Sequence, residues 1–227
     1  MVPGWRRATQ RTNVMTHRTL IPCEIDPVKP DGERLGLAAR VLREGRLVAY
    51  PTDTLYGLAA DPRLPVAVAR LFDIKGRSRD MAIPLIAADV TQVEHVATLT
   101  QLGRRLASAF WPGPVSLVLD AQSNLSRRVC GGGDTVAVRV PDHPVARGLA
   151  AALGYPVTAT SANRSGEPPA SSAVDILQTI GSGLAMLLDG GDVAGGFPST
   201  IIDARGPDPF LLRAGQVSWD RVLQSLA

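Results

Sequence analysis

Apolar side chains recur at two spacings along this chain, one helical and one of strand length. Asp31 is positioned to cap a helix whose apolar face is Leu35, Ala38, Val41 and Leu42, and Gly45 stops it. Residues 46–50 then read as a short strand, followed by a polar loop with Thr52, Asp53 and Thr54. Val66, Ala69 and Ile74 mark a second helix ending at Lys75-Gly76, and residues 83–87 a buried strand. Leu102, Leu106, Ala109 and Phe110 predict a helix closed by Trp111-Pro112-Gly113-Pro114. Strands are expected at 115–119 and 136–140, then a helix capped by Asp142 with Val145, Leu149 and Leu153 inward. A strand at 155–159 precedes a Ser/Asn/Gly/Pro loop. Ser171 or Ser172 caps a helix through Val174, Leu177 and Ile180, and strands at 184–188, 199–203 and 210–213 complete the pattern.

Helices and strands are mixed throughout, with hairpin-length gaps in the second half. That predicts an α/β (α+β) fold: a single domain with one twisted mixed sheet flanked by helices. Residues 1–30 hold four prolines and little periodicity, so they read as a partly disordered tail and linker, with one short strand near 19–23. The domain is expected over 31–220, with a C-terminal tail at 221–227. Hydrophobic residues make up 45% of the chain and aromatic residues 4%, so the core must be aliphatic.

The net charge of +3 invites a nucleic-acid reading, but its location removes most of that force. Arg6, Arg7, Arg11, Arg18 and Lys29 against Glu24 and Asp26 account for all of it, and the remainder balances. Cys23 and Cys130 lie far apart and in no metal spacing, as expected of free thiols in a reducing compartment. His17, His95 and His143 form no ligand motif. No apolar run reaches the roughly 18 residues of a membrane span. The first residues lack the apolar core of a secretory signal, and Met15 is an alternative initiator.

Four polar loops carry the candidate chemistry. Thr52 and Thr54 offer hydroxyls, although an ordinary capped turn reads equally well there. Residues 75–80, KGRSRD, form either an anion cradle or a helix end decorated with cations. Lys29 and Lys75 are the chain's two lysines, so an ammonium at 75 among so many arginines tilts towards the cradle. Arg139 lies inside an apolar strand and must either face a cleft, clamping a carboxylate, or be paired internally. Ser161 and Asn163 follow the next strand, and Ser199, Thr200 and Arg213 sit at strand ends. There is no P-loop or GxGxxG after a strand, and no readable Ser-His-Asp or Cys-His set.

Seven stretches, in order, resemble the YrdC-type L-threonylcarbamoyladenylate synthase family. They are VAYPTDTLYGLAADP at 48–62, KGR at 75–77, FWPGPVSLVL at 110–119, VAVRVPDHPVA at 136–146, ATSANRSGEPP at 159–169, STIIDARG at 199–206 and LLRAG at 211–215. The resemblance covers roughly residues 33–218 and matches the short form, without an extra C-terminal domain. It implies a concave, positively lined cavity for ATP and threonine. By resemblance Thr54, Arg139 and Ser199 contact threonine, and Lys75, Arg77, Thr135, Ser161, Asn163 and Arg213 contact the nucleotide. Lys75, Arg77, Ser161 and Asn163 are the family's characteristic catalytic tetrad. Mg²⁺ is expected to travel with the ATP phosphates rather than in a protein cage. The pattern is not kept at Met81, Ile86 and Pro169, where relatives often carry polar contacts.

The implied activity is that of a cytoplasmic nucleotidyltransferase. It makes L-threonylcarbamoyl-AMP and pyrophosphate from L-threonine, bicarbonate and ATP, the first step of a tRNA modification. A downstream tRNA threonylcarbamoyl transferase would take the product, with at most a weak tRNA contact by this chain. Two rivals use the same residues differently: a carbamoyl-phosphate-dependent carbamoyltransferase-like domain and a non-catalytic RNA-binding module. The charge-neutral domain and singly scattered aromatics argue against the second.

Overall fold

The computed structural model of the chain describes residues 20–193 and 197–227, and the first nineteen residues of the expected tail lie outside them. It contains two mixed sheets where the pattern predicts one. The first runs β1 (Ile21–Glu24), β10 (Met186–Asp189), β2 (Val48–Tyr50), β3 (Gly57–Ala59), β9 (Thr160–Ser161). The second runs β12 (Phe210–Arg213), β11 (Thr200–Asp203), β6 (Val115–Ala121), β7 (Thr135–Arg139), β4 (Leu85–Ile86), β8 (Val157–Thr158). A short β5 (Ala97–Thr98) also pairs with β6. The helices are α1 (Gly32–Arg43), α2 (Pro65–Lys75), α3 (Val90–Glu94), α4 (Gln101–Phe110), α5 (Pro144–Leu153), α6 (Ala173–Thr179) and α7 (Trp219–Gln224).

The single strand expected at 155–159 is the reason for the difference. The chain pairs with β4 through Val157–Thr158, changes partner at Ala159, and pairs with β3 through Thr160–Ser161. One extended stretch thus stitches the two sheets together and delivers Ser161 to their junction.

The first sheet is buried on both faces. Val48, Tyr50, Ala59, Met186 and Leu188 pack against the inward faces of α1 and α5, while Ala49, Leu58 and Leu187 face the larger core. Its neighbouring parallel strands β10 and β2 therefore carry continuous apolar runs instead of an alternating pattern, while the edge strand β1 leaves Pro22 and Glu24 exposed. The second sheet is buried on one face. Leu117, Leu119, Val136, Val138 and Ile202 enter the core shared with α2 and α4. The alternate residues Ser116, Val118, Ala137, Arg139 and Ile201 face a cavity. This period of two explains how an arginine can stand in an otherwise apolar strand.

Other expectations are corrected. β1 belongs to the first sheet, so ordered structure begins before Asp31, although Asp31 does cap α1 through the Glu33 and Arg34 amides. The cap of α5 is His143, not Asp142, because Pro144 occupies the first helical position. α2 buries Ala67, Val68, Leu71 and Phe72 rather than a face centred on Val66, because Leu71 and Phe72 remove more apolar surface from water. On α6, Ile176 is buried while Val174 and Leu177 are exposed. The expected tail at 221–227 holds the end of α7, where Val222 is fully buried in the main core.

Candidate active site

A cavity of about 580 Å³ opens over the exposed face of the second sheet. Its size suits a small-molecule site, typically roughly 300–1,000 Å³. The floor is β6, β7 and β11. The walls are the loop 52–57, the segment 82–86, β9 with Ala159, and Pro198–Ser199 with Leu212 and Arg213.

The loop after β2 is built by one hydroxyl. Thr52 Oγ1 donates to the Leu55 carbonyl at 2.6 Å and accepts the Thr54 and Leu55 amides. That commits its proton, so in the 3.1 Å contact between the two threonine hydroxyls Thr54 is the donor. Thr54 Oγ1 therefore turns its lone pairs towards Arg139 Nη2, 3.4 Å away, and towards the cavity.

Arg139 ends β7 and is 6% exposed. Its Nη1 donates to Asp53 Oδ1 at 2.6 Å, and Asp53 Oδ2 accepts the Asp142 amide at 3.2 Å. Both alternatives open in the sequence thus hold together: Arg139 is internally paired and also lines the cavity. Beyond Asp53 and the 3.4 Å contact of Nη2 with Thr54 Oγ1, the guanidinium has no other protein acceptor among the described residues.

Lys75 closes α2, which Gly76 terminates in the left-handed region at φ 58°. Its ammonium is 4% exposed and does not line the cavity. It donates to the Ser161 carbonyl at 2.6 Å, the Asn163 carbonyl at 2.8 Å and Asn163 Oδ1 at 3.3 Å. Asn163 is also turned inward, donating to the Arg164 and Glu167 carbonyls. Ser161 Oγ donates to Asn163 Oδ1 at 2.5 Å and is the member of this trio that lines the cavity. Burial, with Arg77 nearby, lowers the Lys75 ammonium to about 8.

Arg77 and Arg213 complete the cationic lining. Arg77 is held by Met81 Sδ and the Ala82 carbonyl, and Arg213 by the carbonyl and hydroxyl of Ser199. Burial lowers both guanidinium values, with Arg139 adding to the effect at Arg213. Gly215 makes the second clamp possible: a Cβ there would lie 2.3 Å from the Pro198 carbonyl oxygen.

Thr54, Arg77, Arg139, Ser161, Ser199 and Arg213 therefore meet around one cavity, with Lys75 and Asn163 directly behind Ser161. Thr135 stands apart. It shares the cavity face of β7 with Ala137 and Arg139 but starts the strand, about 13 Å from Arg139 along it. Ile86 and Pro169 line the cavity with apolar surface, so at those positions the wall offers shape rather than hydrogen bonds. Two contributors went unread in the sequence. Ser116 shares a 2.9 Å hydrogen bond with Ser199, and its position two residues before Val118 on the cavity face was the available signal. Asp53 was visible as a loop residue, and the requirement that buried Arg139 have a partner pointed to a carboxylate.

The fold and cavity together define an α/β protein with an arginine-lined cavity of small-molecule size. A family profile described as telomere recombination, that of the Sua5, YciO and YrdC proteins, matches residues 40–215. The chain belongs to this family. It is 35% identical over 199 residues to the threonylcarbamoyl-AMP synthase of Bacillus subtilis, covering 87% of this chain and 58% of that one. With the threonylcarbamoyl-AMP synthase of Nitrosococcus oceani it shares 41% identity over 175 residues, covering 76% and 94%. The structure of Pyrococcus abyssi Sua5 complexed with L-threonine superposes with a TM-score of 0.86 at 36% identity, covering 91% of this chain and 61% of that one. The chain thus spans somewhat over half the length of the Bacillus and Pyrococcus relatives.

The Lys75 environment has a direct readout. Burial disfavours the charged form, so between about pH 8 and the ordinary lysine value of 10.5 the unfolded chain holds a proton the folded chain has lost. The contribution of Lys75 to stability therefore rises with pH across that window. In protein carrying ¹³C-labelled lysine and the Lys29→Arg substitution, the remaining ε-carbon should titrate near pH 8. Titration at the ordinary lysine value would contradict the desolvation of this ammonium.

Proposed function

We propose that this chain forms L-threonylcarbamoyl-AMP and pyrophosphate from L-threonine, bicarbonate-derived CO₂ and ATP. The observation that carries the reading is the division of the cavity's cations. One paired arginine, Arg139, stands beside an acceptor hydroxyl, and two arginines without a carboxylate partner among the described residues, Arg77 and Arg213, stand elsewhere on the lining. An amino acid needs the first arrangement and a polyphosphate the second. The names of the Bacillus and Nitrosococcus relatives, and the threonine held by Pyrococcus Sua5, support the same substrates.

In this reading the threonine carboxylate pairs with the free edge of the Arg139 fork. Thr54 Oγ1 accepts from the amine or the side-chain hydroxyl, and Ser199 completes the contact. The amine lone pair attacks CO₂, forming the C–N bond and losing a proton to give N-carboxythreonine. A carboxylate oxygen of that carbamate then attacks the α-phosphorus of ATP. The bond from the α-phosphorus to the bridging oxygen breaks, and pyrophosphate leaves. The protein's task is to hold anions side by side and neutralise charge growing on phosphate. Arg77 and Arg213 do this directly, and Lys75 and Asn163 hold Ser161 in place. Thr135, further along the same strand face, lies where an extended nucleotide would reach.

Among the described residues no group of three or more His, Cys, Asp or Glu side chains could hold a metal ion, and Asp53 is committed to Arg139. Mg²⁺ in this reading travels with the ATP phosphates, as MgATP. We assign the reaction to the cytoplasm, in keeping with the free thiols Cys23 and Cys130. A transferase acting on tRNA would consume the product, and any tRNA contact by this chain would be weak. No helix among the described residues is long and apolar enough to cross a membrane.

The test is pyrophosphate release with MgATP, omitting threonine and bicarbonate in turn. Release should require both. Release with carbamoyl phosphate instead would support the carbamoyltransferase alternative, and RNA binding without turnover would support the binding module. Arg139→Ala should raise the threonine KM by about tenfold or more while changing the ATP KM little. Equal effects on both would remove Arg139 from the threonine site.

A further inference from the structure

Three arginines line the cavity, and they are not electrically equivalent. Arg139 is paired with Asp53 Oδ1 at 2.6 Å, and both side chains are almost fully buried, at 7% and 12% exposure. Arg77 donates to a thioether and a backbone carbonyl, and Arg213 to the carbonyl and hydroxyl of Ser199. Among the described residues neither has a carboxylate partner. Asp53 is also fixed from a second side by the Asp142 amide. It cannot swing away from Arg139 without breaking the join between the loop after β2 and the turn after β7.

A guanidinium without a carboxylate partner attracts the most highly charged anion available. In a cavity that takes both a monoanionic amino-acid carboxylate and a polyphosphate, three equivalent arginines would all favour phosphate. The positive site at Arg139 would then be blocked by the nucleotide or by product pyrophosphate. A carboxylate already beside Arg139 cancels most of its net charge and repels a second dense anion. It leaves the directional N–H donors of the fork, which a single carboxylate can still use.

We propose that Asp53 is a specificity-determining residue that makes the Arg139 end of the cavity a carboxylate site, leaving Arg77 and Arg213 for polyphosphate. Asp53 does not itself line the cavity and acts through Arg139. The proposal rests on the threonine and ATP reading above and adds to it how two kinds of anion are sorted within one cationic pocket.

The test is calorimetric titration of the full chain with L-threonine, with and without saturating inorganic pyrophosphate. In the natural protein pyrophosphate should leave threonine affinity within about twofold. In Asp53→Asn, which keeps the shape and an acceptor oxygen but removes the charge, pyrophosphate should weaken threonine by about tenfold or more. Asp53→Glu should restore indifference to pyrophosphate. A purely structural role for Asp53 would weaken threonine in the variant equally with and without pyrophosphate, and that result overturns the proposal. So does strong competition in the natural protein. If the natural protein binds no threonine, the functional reading itself fails and the proposal falls with it, an outcome distinct from altered competition in the variant.

Discussion

A guanidinium inside a sheet sets the terms for the rest of this molecule. Removing an ion from water costs several kcal/mol, and Arg139 meets that cost with Asp53. At an effective dielectric of about 20, unit charges ~4 Å apart attract by about 4 kcal/mol, which is of the same order. That attraction offsets part of the cost of burying both ions, so the pair adds little net stability. What it fixes is geometry. The loop after β2 must lie where Asp53 reaches Arg139, and the turn after β7 must lie where the Asp142 amide reaches Asp53. Thr54 comes with the first loop and is thereby set against the same arginine.

The second constraint is the alternation of the second sheet. One face is committed to the core through Leu117, Leu119, Val136 and Val138. The other is left to ligand, with Ser116, Val118, Ala137 and Arg139 in consecutive pleats. Sheet junctions supply what the floor lacks. β9 brings Ser161, and behind it the Lys75 ammonium donates to the Asn163 carbonyl and adds a second donor to the Ser161 carbonyl, which also accepts the Asn163 amide. Close approach of Gly215 to Pro198 locks Arg213 onto Ser199. A low-dielectric pocket with fixed donors suits a reaction in which negative charge moves between phosphate and carboxylate, because the donors need not reorganise as charge develops.

Much of this was legible in the sequence, for physical reasons. Strong periodicity marked α1, α4 and α5, and the buried cation at Arg139 announced a site. Lys75 stood out among arginines, and the matching stretches located Ser161, Asn163, Ser199 and Arg213. What was hidden had equally physical causes. β3 is Gly-Leu-Ala, too short and too small to show a pattern, whereas the short strand expected near 19–23 is found as β1, an edge strand that tolerates Pro22. The division into two sheets depends on a change of partner at Ala159, from β4 to β3, that no residue type marks. Asp53 was in view, but pairing at a sequence separation of 86 is a tertiary fact. The inward orientation of Lys75 likewise depends on carbonyls from a distant strand rather than on its own neighbours.

The most direct measurement is a crystal structure of the chain with L-threonine and a non-hydrolysable ATP analogue bound together. The account predicts the threonine carboxylate on the free edge of Arg139 with the Asp53 pair intact, and the triphosphate on Arg77 and Arg213. A phosphate oxygen on Arg139, or the threonine carboxylate on Arg77 or Arg213, would contradict it.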